Sequence, residues 1–242
     1  MSAGPEVRIL PDAAEAVPIL LDEVRALLAG AGSALLGLAT GGTFRPFLRA
    51  FAAALAAGQL MGQERLLVTH LDEYLGFPPE RQGGMVHELV TCCPPLQHLL
   101  RRGAFLPVPH VADPAALAAH EERLARAGGV GLQFLGVGRN GHLAFHEPGV
   151  PFDRGFHVAE LAAVTRDDAR AHFAPAEPPT HAVTSGVATI LAARRLLLCA
   201  FGRAKAAAVA AMLHGPIEPA CPASALRQHG NALVLLDREA AG

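Results

Sequence analysis

Seven short apolar runs recur along the chain: VRIL (7–10), ALLGLA (34–39), RLLVTHL (65–71), AFLPV (104–108), VGLQFLGV (130–137), RRLLLCAF (194–201) and ALVLL (232–236). They lack a strict polar alternation, as strands covered on both faces do. Between them lie amphipathic, alanine-rich stretches with helical spacing: Asp12–Leu28, Pro46–Ala57, Asp113–Ala127 and Ala204–Leu213. This alternation predicts an α/β fold, an open and mostly parallel sheet with helices on both faces. No internal repeat or flexible linker interrupts it. The proline-rich segment Ala174–Pro179 is too short to divide domains, so residues 1–242 are expected to form a single domain.

In open parallel sheets, ligands sit at the carboxyl ends of the strands. Four such ends carry chemistry. In LGLATGGTFRPFL, an apolar strand ends at Thr40, and Gly41, Gly42 and Thr43 turn into a helix. Glycine lets backbone N–H groups approach an anion, and a helix N-terminus favours negative charge. In VTHLDEYLGFP, Asp72 and Glu73 follow a strand, and neighbouring side chains on an extended backbone point opposite ways. One carboxylate can face a cleft as a base while the other pairs inside the fold.

The third end, FLGVGRNGHLAFHEPG, has Gly136, Gly138 and Gly141 at G-x-G-x-x-G spacing. A dinucleotide loop would lead into a long helix, but Pro148 and Gly149 cut that helix short. The glycines therefore read as a tight turn that presents His142 and Glu147, an imidazole and a carboxylate able to form a proton relay. At the fourth end, LLLCAFGRAKAAAVAAML, Lys205 stands in the first turn of a helix, where a cation opposes the helix dipole. A bound anion would offset that cost.

Composition sharpens the last point. The twenty basic residues are nineteen arginines and a single lysine, Lys205. A chain drifting this far towards arginine retains lysine where a compact ammonium is needed. The lone tyrosine, Tyr74, follows Asp72 and Glu73, and Asn140 is one of two asparagines. The net charge of -2 and the absence of a Lys/Arg-rich run give no support for nucleic acid or an anionic membrane as partner. The uncharged stretch from Ala26 to Phe44 is broken by glycines and fits a helix end, turn and strand better than a membrane span. With no secretory pattern at the N-terminus, and with Cys92, Cys93, Cys199 and Cys221 outside any C-x-x-C, the expectation is a cytoplasmic protein with reduced thiols.

Taken in order, GLATGGT, LDEYLG, LGVGRNGHLAFHEPG, THAVTSGVATIL, GRAKAAAV and PASALRQHGNALVLLDREAA resemble the glucosamine-6-phosphate deaminase (isomerase) family, in its shorter type without allosteric control. The resemblance implies a Rossmann-like single domain. It also implies conversion of glucosamine 6-phosphate and water into fructose 6-phosphate and ammonia, with no metal or organic cofactor. By that resemblance Asp72 is the base that moves a proton between C2 and C1. His142 opens the sugar ring, assisted by Glu147 and by Asn140, where many relatives carry Asp. Thr40, Gly41, Gly42, Thr43 and Lys205 form the phosphate cradle. A substrate-contacting arginine is implied near TRDDARAHF, with Arg170 nearest. The implied partner is a small sugar phosphate, with a homo-oligomer possible.

The chain departs from the family pattern at Phe44, where Pro is usual, and at His70 and His146, where Asn is usual. A Ser-Tyr-x-x-Phe-Met segment is replaced by RQGGMVHEL, keeping Met85 but losing the aromatic. These changes cluster around the sugar rather than the phosphate, which leaves room for another amino-sugar phosphate as substrate. Two competing readings are a 6-phosphogluconolactonase-like hydrolase, which shares a G-x-G-x-x-G-H loop, and a sugar-phosphate-binding module without catalysis.

Overall fold

A computed structural model describes residues 4–242. Its strands are β1 (Glu6–Leu10), β2 (Leu35–Leu38), β3 (Leu67–His70), β4 (Asp72–Tyr74), β5 (Phe105–Leu106), β6 (Leu132–Leu135), β7 (His157–Glu160), β8 (His181–Thr184), β9 (Leu196–Ala200) and β10 (Ala232–Asp237). Its helices are α1 (Ala16–Ala29), α2 (Arg45–Ala56), α3 (Met85–Cys92), α4 (Pro95–Arg101), α5 (Pro114–Arg126), α6 (Ala163–Phe173), α7 (Val187–Leu191), α8 (Ala206–His214) and α9 (Arg238–Ala241). All seven apolar runs became strands of one parallel sheet, in the order β1-β10-β9-β6-β2-β3-β5.

The four predicted helices also form, each with boundaries its sequence explains. Asp113 caps α5 by accepting from the Ala115 N–H at 3.0 Å, and Pro114 occupies the first turn, where its missing N–H costs nothing. The core is continuous: β2, β6, β9 and β10 are almost wholly buried, and Phe44, Phe47, Phe51 and Phe134 stack beneath α2. All four cysteines are free thiols. Among the described residues, no helix is long and apolar enough to cross a membrane.

The order of strands places the site. From β2 the chain runs outward through β3 to β5, then returns to β6 on the other side of β2 and continues through β9 and β10. The direction of winding reverses between β2 and β6, which is where an open α/β sheet leaves a crevice. The four chemistry-bearing strand ends belong to β9, β6, β2 and β3, which are consecutive neighbours.

Hydrophobic patterning missed a second sheet, antiparallel and ordered β4-β8-β7, and the helices α3, α4, α6 and α7. DEY, HVAE and HAVT are short and carry polar residues, so they do not resemble covered strands. They pair because the chain leaves β3 at His70 and, after Leu71 alone, starts β4 against β8, with Asp72 opposite Thr184.

Three histidines are buried: His70, His120 and His146. His120 on α5 packs edge-on against Phe156, and neither ring nitrogen has a partner. Burial, and then the charge of Arg123, lowers its pKa to about 4. The unfolded chain therefore takes up a proton below about pH 6.5 that the folded one resists, and stability falls from there towards pH 4. His120→Leu removes an orphaned polar group. Chemical denaturation is expected to show a gain of about 1 kcal/mol at pH 8 and about 2 kcal/mol more at pH 5.

Candidate active site

A cleft of about 550 Å³ opens at the switch point. It is lined by Thr40–Arg45 from the β2 end, His70–Asp72 and Tyr74 from β3 and β4, Gly136–Arg139 and His142 from the β6 end, and Lys205 from the β9 end. Helices α3 and α6 contribute Met85, Glu88, Thr165, Asp168 and His172.

The turn after β2 needs glycine at Gly41, whose φ is +87°. Nothing lies within 4 Å of where a Cβ would sit at Gly41 or Gly42, so the backbone faces open space. The first helical turn of α2 is capped by Phe44, without a side-chain hydrogen bond. Thr43 therefore does not satisfy the helix start, and the N–H groups there remain available to an anion. Lys205 closes a 3-10 turn (Arg203–Lys205) and caps α8, slightly earlier than the first-turn position expected from sequence. Burial pushes its pKa below that of an ordinary lysine, against the raising effect of Asp168.

Asp72 and Glu73 divide as their alternation predicts. Glu73 faces inward and accepts from the N–H groups of Tyr74 (2.9 Å), Met85 (2.9 Å) and Val86 (3.0 Å), tying β4 to the start of α3. Asp72 faces the cleft. Burial first, then the charges of Glu73 and Glu88, raises its pKa to about 8. Tyr74 packs among Phe77, Phe145 and Phe173, a small aromatic cluster under the site.

The loop after β6 contains no helix before β7. Its second glycine serves the imidazole: a Cβ on Gly138 would stand 2.2–2.4 Å from three atoms of the His142 ring. Gly138→Ala must push that ring aside. With the fold intact by circular dichroism, turnover is expected to fall by about a hundredfold, the cost of misplacing a reacting group by about 1 Å.

His142 Nδ1 lies 3.6 Å from Glu147 Oε2 and 3.3 Å from Thr165 Oγ1. The Thr165 hydroxyl donates its one proton to Glu147 Oε1 at 2.6 Å, so it can only accept from His142. That places the imidazole proton on Nδ1 and leaves Nε2 as an acceptor. Asn140 donates its amide to Glu147 Oε2 at 2.8 Å and accepts from the His142 N–H at 3.3 Å. Burial would raise the Glu147 pKa. Hydrogen bonds from His142, Thr165 and Asn140, with the charge of His142, outweigh it and hold the carboxyl at about 2. Glu147 thus stays ionised and orients His142.

Several residues escaped sequence reasoning. Thr165, Asp168 and Glu88 sit on helices that hydrophobic patterning did not find. Arg170 does not line the cleft: it turns outward to Glu177 and Asp167. On the same helix Arg166 follows Thr165, has no carboxylate within salt-bridge distance among the described residues, and carries a buried, unpaired Nε. His146 is structural, with Nε2 on the Val150 carbonyl (3.1 Å) and Nδ1 accepting from the Val187 N–H (3.3 Å). His70 lines the cleft, but its Nε2 accepts from the Val108 N–H at 2.9 Å. Burial, then the charge of His120, lowers its pKa to about 3. Among the described residues, no group of three His, Cys, Asp or Glu side chains is placed to hold a metal ion.

Residues 12–235 match the family model described as glucosamine-6-phosphate isomerases/6-phosphogluconolactonase. The chain belongs to this family. Within the family it is 39% identical to a glucosamine-6-phosphate deaminase of Streptomyces avermitilis, over 98% of this chain and 91% of that protein. A deaminase of Mycolicibacterium smegmatis is 37% identical over the same shares. Among solved structures, a monomeric glucosamine-6-phosphate deaminase superposes with a TM-score of 0.89 at 32% identity, covering 98% of both chains. The 6-phosphogluconolactonase of Trypanosoma brucei shares the fold at a TM-score of 0.77 and 20% identity, covering 99% of this chain and 98% of that one. Both arms of the family therefore keep this sheet, and the site chemistry has to separate them.

Proposed function

We propose that the protein is a glucosamine-6-phosphate deaminase, converting glucosamine 6-phosphate and water into fructose 6-phosphate and ammonia. The observation that carries this reading is the convergence of a raised carboxyl, Asp72, and an oriented imidazole, His142, on one cleft with an anion cradle. The phosphate rests on Thr40, the N–H groups of Gly41, Gly42 and Thr43, and the Lys205 ammonium. The sugar then lies between Asp72 and His142.

Ring opening comes first. His142 Nε2 takes the proton from the C1 hydroxyl, the C1–O5 bond breaks, and O5 is protonated. Glu147, ionised and held by Asn140 and Thr165, stabilises the imidazolium. Ionised Asp72 then removes the proton from C2 and returns it to C1. The C1 aldehyde becomes an alcohol and the C2 amine an imine. Water adds to C2 and ammonia leaves, giving the ketose. These steps draw on side chains, backbone amides and water. Neither Arg166 nor Arg170 lines the cleft, so no arginine of α6 is assigned the substrate contact implied near TRDDARAHF.

A lactonase reading is weaker, because lactone hydrolysis has no C2 proton to move and gives Asp72 no task. The test is to incubate the protein with glucosamine 6-phosphate, and separately with 6-phosphogluconolactone, and to measure ammonia, fructose 6-phosphate and lactone loss. Ammonia and fructose 6-phosphate in equal amounts are expected. Tight sugar-phosphate binding without turnover would overturn the reading. Galactosamine and mannosamine phosphates assayed alongside define the epimer. We read the protein as cytoplasmic, supported by its free thiols. The likeness to a structure described as monomeric supports a monomer over a homo-oligomer.

A further inference from the structure

Three cations line the cleft: Arg45, Arg139 and Lys205. They differ in how firmly they are already committed. Arg45 pairs with Glu88, whose side chain is only 12% exposed. Arg139 pairs with Asp168 on α6, and both of those side chains are about two-fifths exposed (43% and 41%). Lys205 has no carboxylate within salt-bridge distance among the described residues, although the charges of Asp168 and Arg139 both reach it.

Asp168 therefore stands at the end of the cleft that holds Lys205. A phosphate dianion arriving there meets one ammonium, a row of N–H groups and an opposing carboxylate. It also meets a guanidinium whose one ion-pair partner among the described residues is that carboxylate. A solvent-exposed ion pair is weakly held, whereas an arginine fork on phosphate is among the stronger charge-assisted contacts. Exchange of Asp168 for phosphate thus costs little and removes the repulsion that Asp168 would otherwise exert.

We propose that Arg139 is a second phosphate-binding side chain, held ready by Asp168, and that the substrate's phosphate takes the place of the Asp168 carboxylate. The proposal rests on the reading that the phosphate lies against Gly41–Thr43 and Lys205. It assigns a task to a position in the G-x-G-x-x-G loop that neither the dinucleotide pattern nor the His142 relay explains.

The experiment measures inorganic phosphate binding by calorimetry, which needs no turnover, together with KM and kcat on glucosamine 6-phosphate. Arg139→Ala is expected to weaken phosphate binding and raise KM by about tenfold, the size of one lost charge-assisted contact, with kcat within about threefold of wild type. Arg139→Lys restores part of the loss, since an ammonium cannot fork. Asp168→Asn frees Arg139 and tightens phosphate by about threefold, the worth of an exposed pair.

Unchanged phosphate affinity in Arg139→Ala, with an unaltered melting temperature, overturns the proposal. So does an equal loss of affinity in Asp168→Asn, which would make the pair a brace for α6. If the wild type binds phosphate through Arg139 but releases no ammonia, the deaminase reading fails and this one stands.

Discussion

Asp72→Asn is expected to lower kcat by about 10³- to 10⁴-fold while leaving the dissociation constant for the sugar phosphate within about threefold. The amide keeps the shape of the side chain and loses the lone pair that takes the C2 proton. Single-turnover kinetics should show the substrate bound and unconverted, and solvent exchange of the C2 proton should stop. The folded state does not suffer. A carboxyl with a raised pKa contributes most below its unfolded value near 3.8, and that contribution is lost as pH rises towards 8. Asn at this position should therefore match Asp in stability near pH 4 and be more stable at pH 7, with the difference levelling off above about pH 8.

The same shift sets the pH dependence of the wild type. The base is active only when ionised, so kcat/KM should climb about tenfold per pH unit below about pH 8 and level off above it. Because the Glu88 charge helps to hold the proton on Asp72, Glu88→Gln is expected to move that limb to lower pH. An unmoved limb would assign the ionisation to another group.

Lys205→Ala is expected to raise KM by about 10- to 100-fold with a much smaller effect on kcat, since phosphate contacts act alike on ground and transition states. Lys205→Arg should recover only part of this. Lys205 is half-buried at the cap of α8, against the turn that follows Gly202, and a planar fork does not fit where a compact ammonium does. Full recovery by arginine would remove the reason inferred for the survival of one lysine among nineteen arginines.

Much of this was legible in the chain. Apolar runs locate all seven strands of the main sheet, because those strands are covered on both faces and leave an uninterrupted hydrophobic signature. The polar residues that follow β2, β3, β6 and β9 identify Gly41–Thr43, Asp72, His142 and Lys205, because a parallel sheet turns strand ends into a binding edge. Pro148 and Gly149 rightly exclude a cofactor helix. Less legible were the elements whose signal is weak. DEY pairs with HAVT through backbone hydrogen bonds that no periodicity advertises. Helix α6 has a polar pattern with one buried residue, Thr165, so nothing marked that threonine as the link between His142 and Glu147. For the same reason the face of α6 that meets the cleft was not readable: Thr165, Asp168 and His172 line it, while Arg166 and Arg170, one turn apart, do not.

By itself the sequence determined the layer architecture, the family and the residue types at four strand ends, all of which depend on local pattern and composition. The tertiary structure alone decided which of those ends are neighbours, since strand order is a long-range property. It decided that Glu147 is held ionised by Asn140 and Thr165, that His146 is committed to backbone and His70 to the Val108 amide, and that Arg139 lines the cleft paired with Asp168. Each of these depends on groups brought together from distant parts of the chain, where burial and a partner's charge, rather than residue identity, set what a side chain can do.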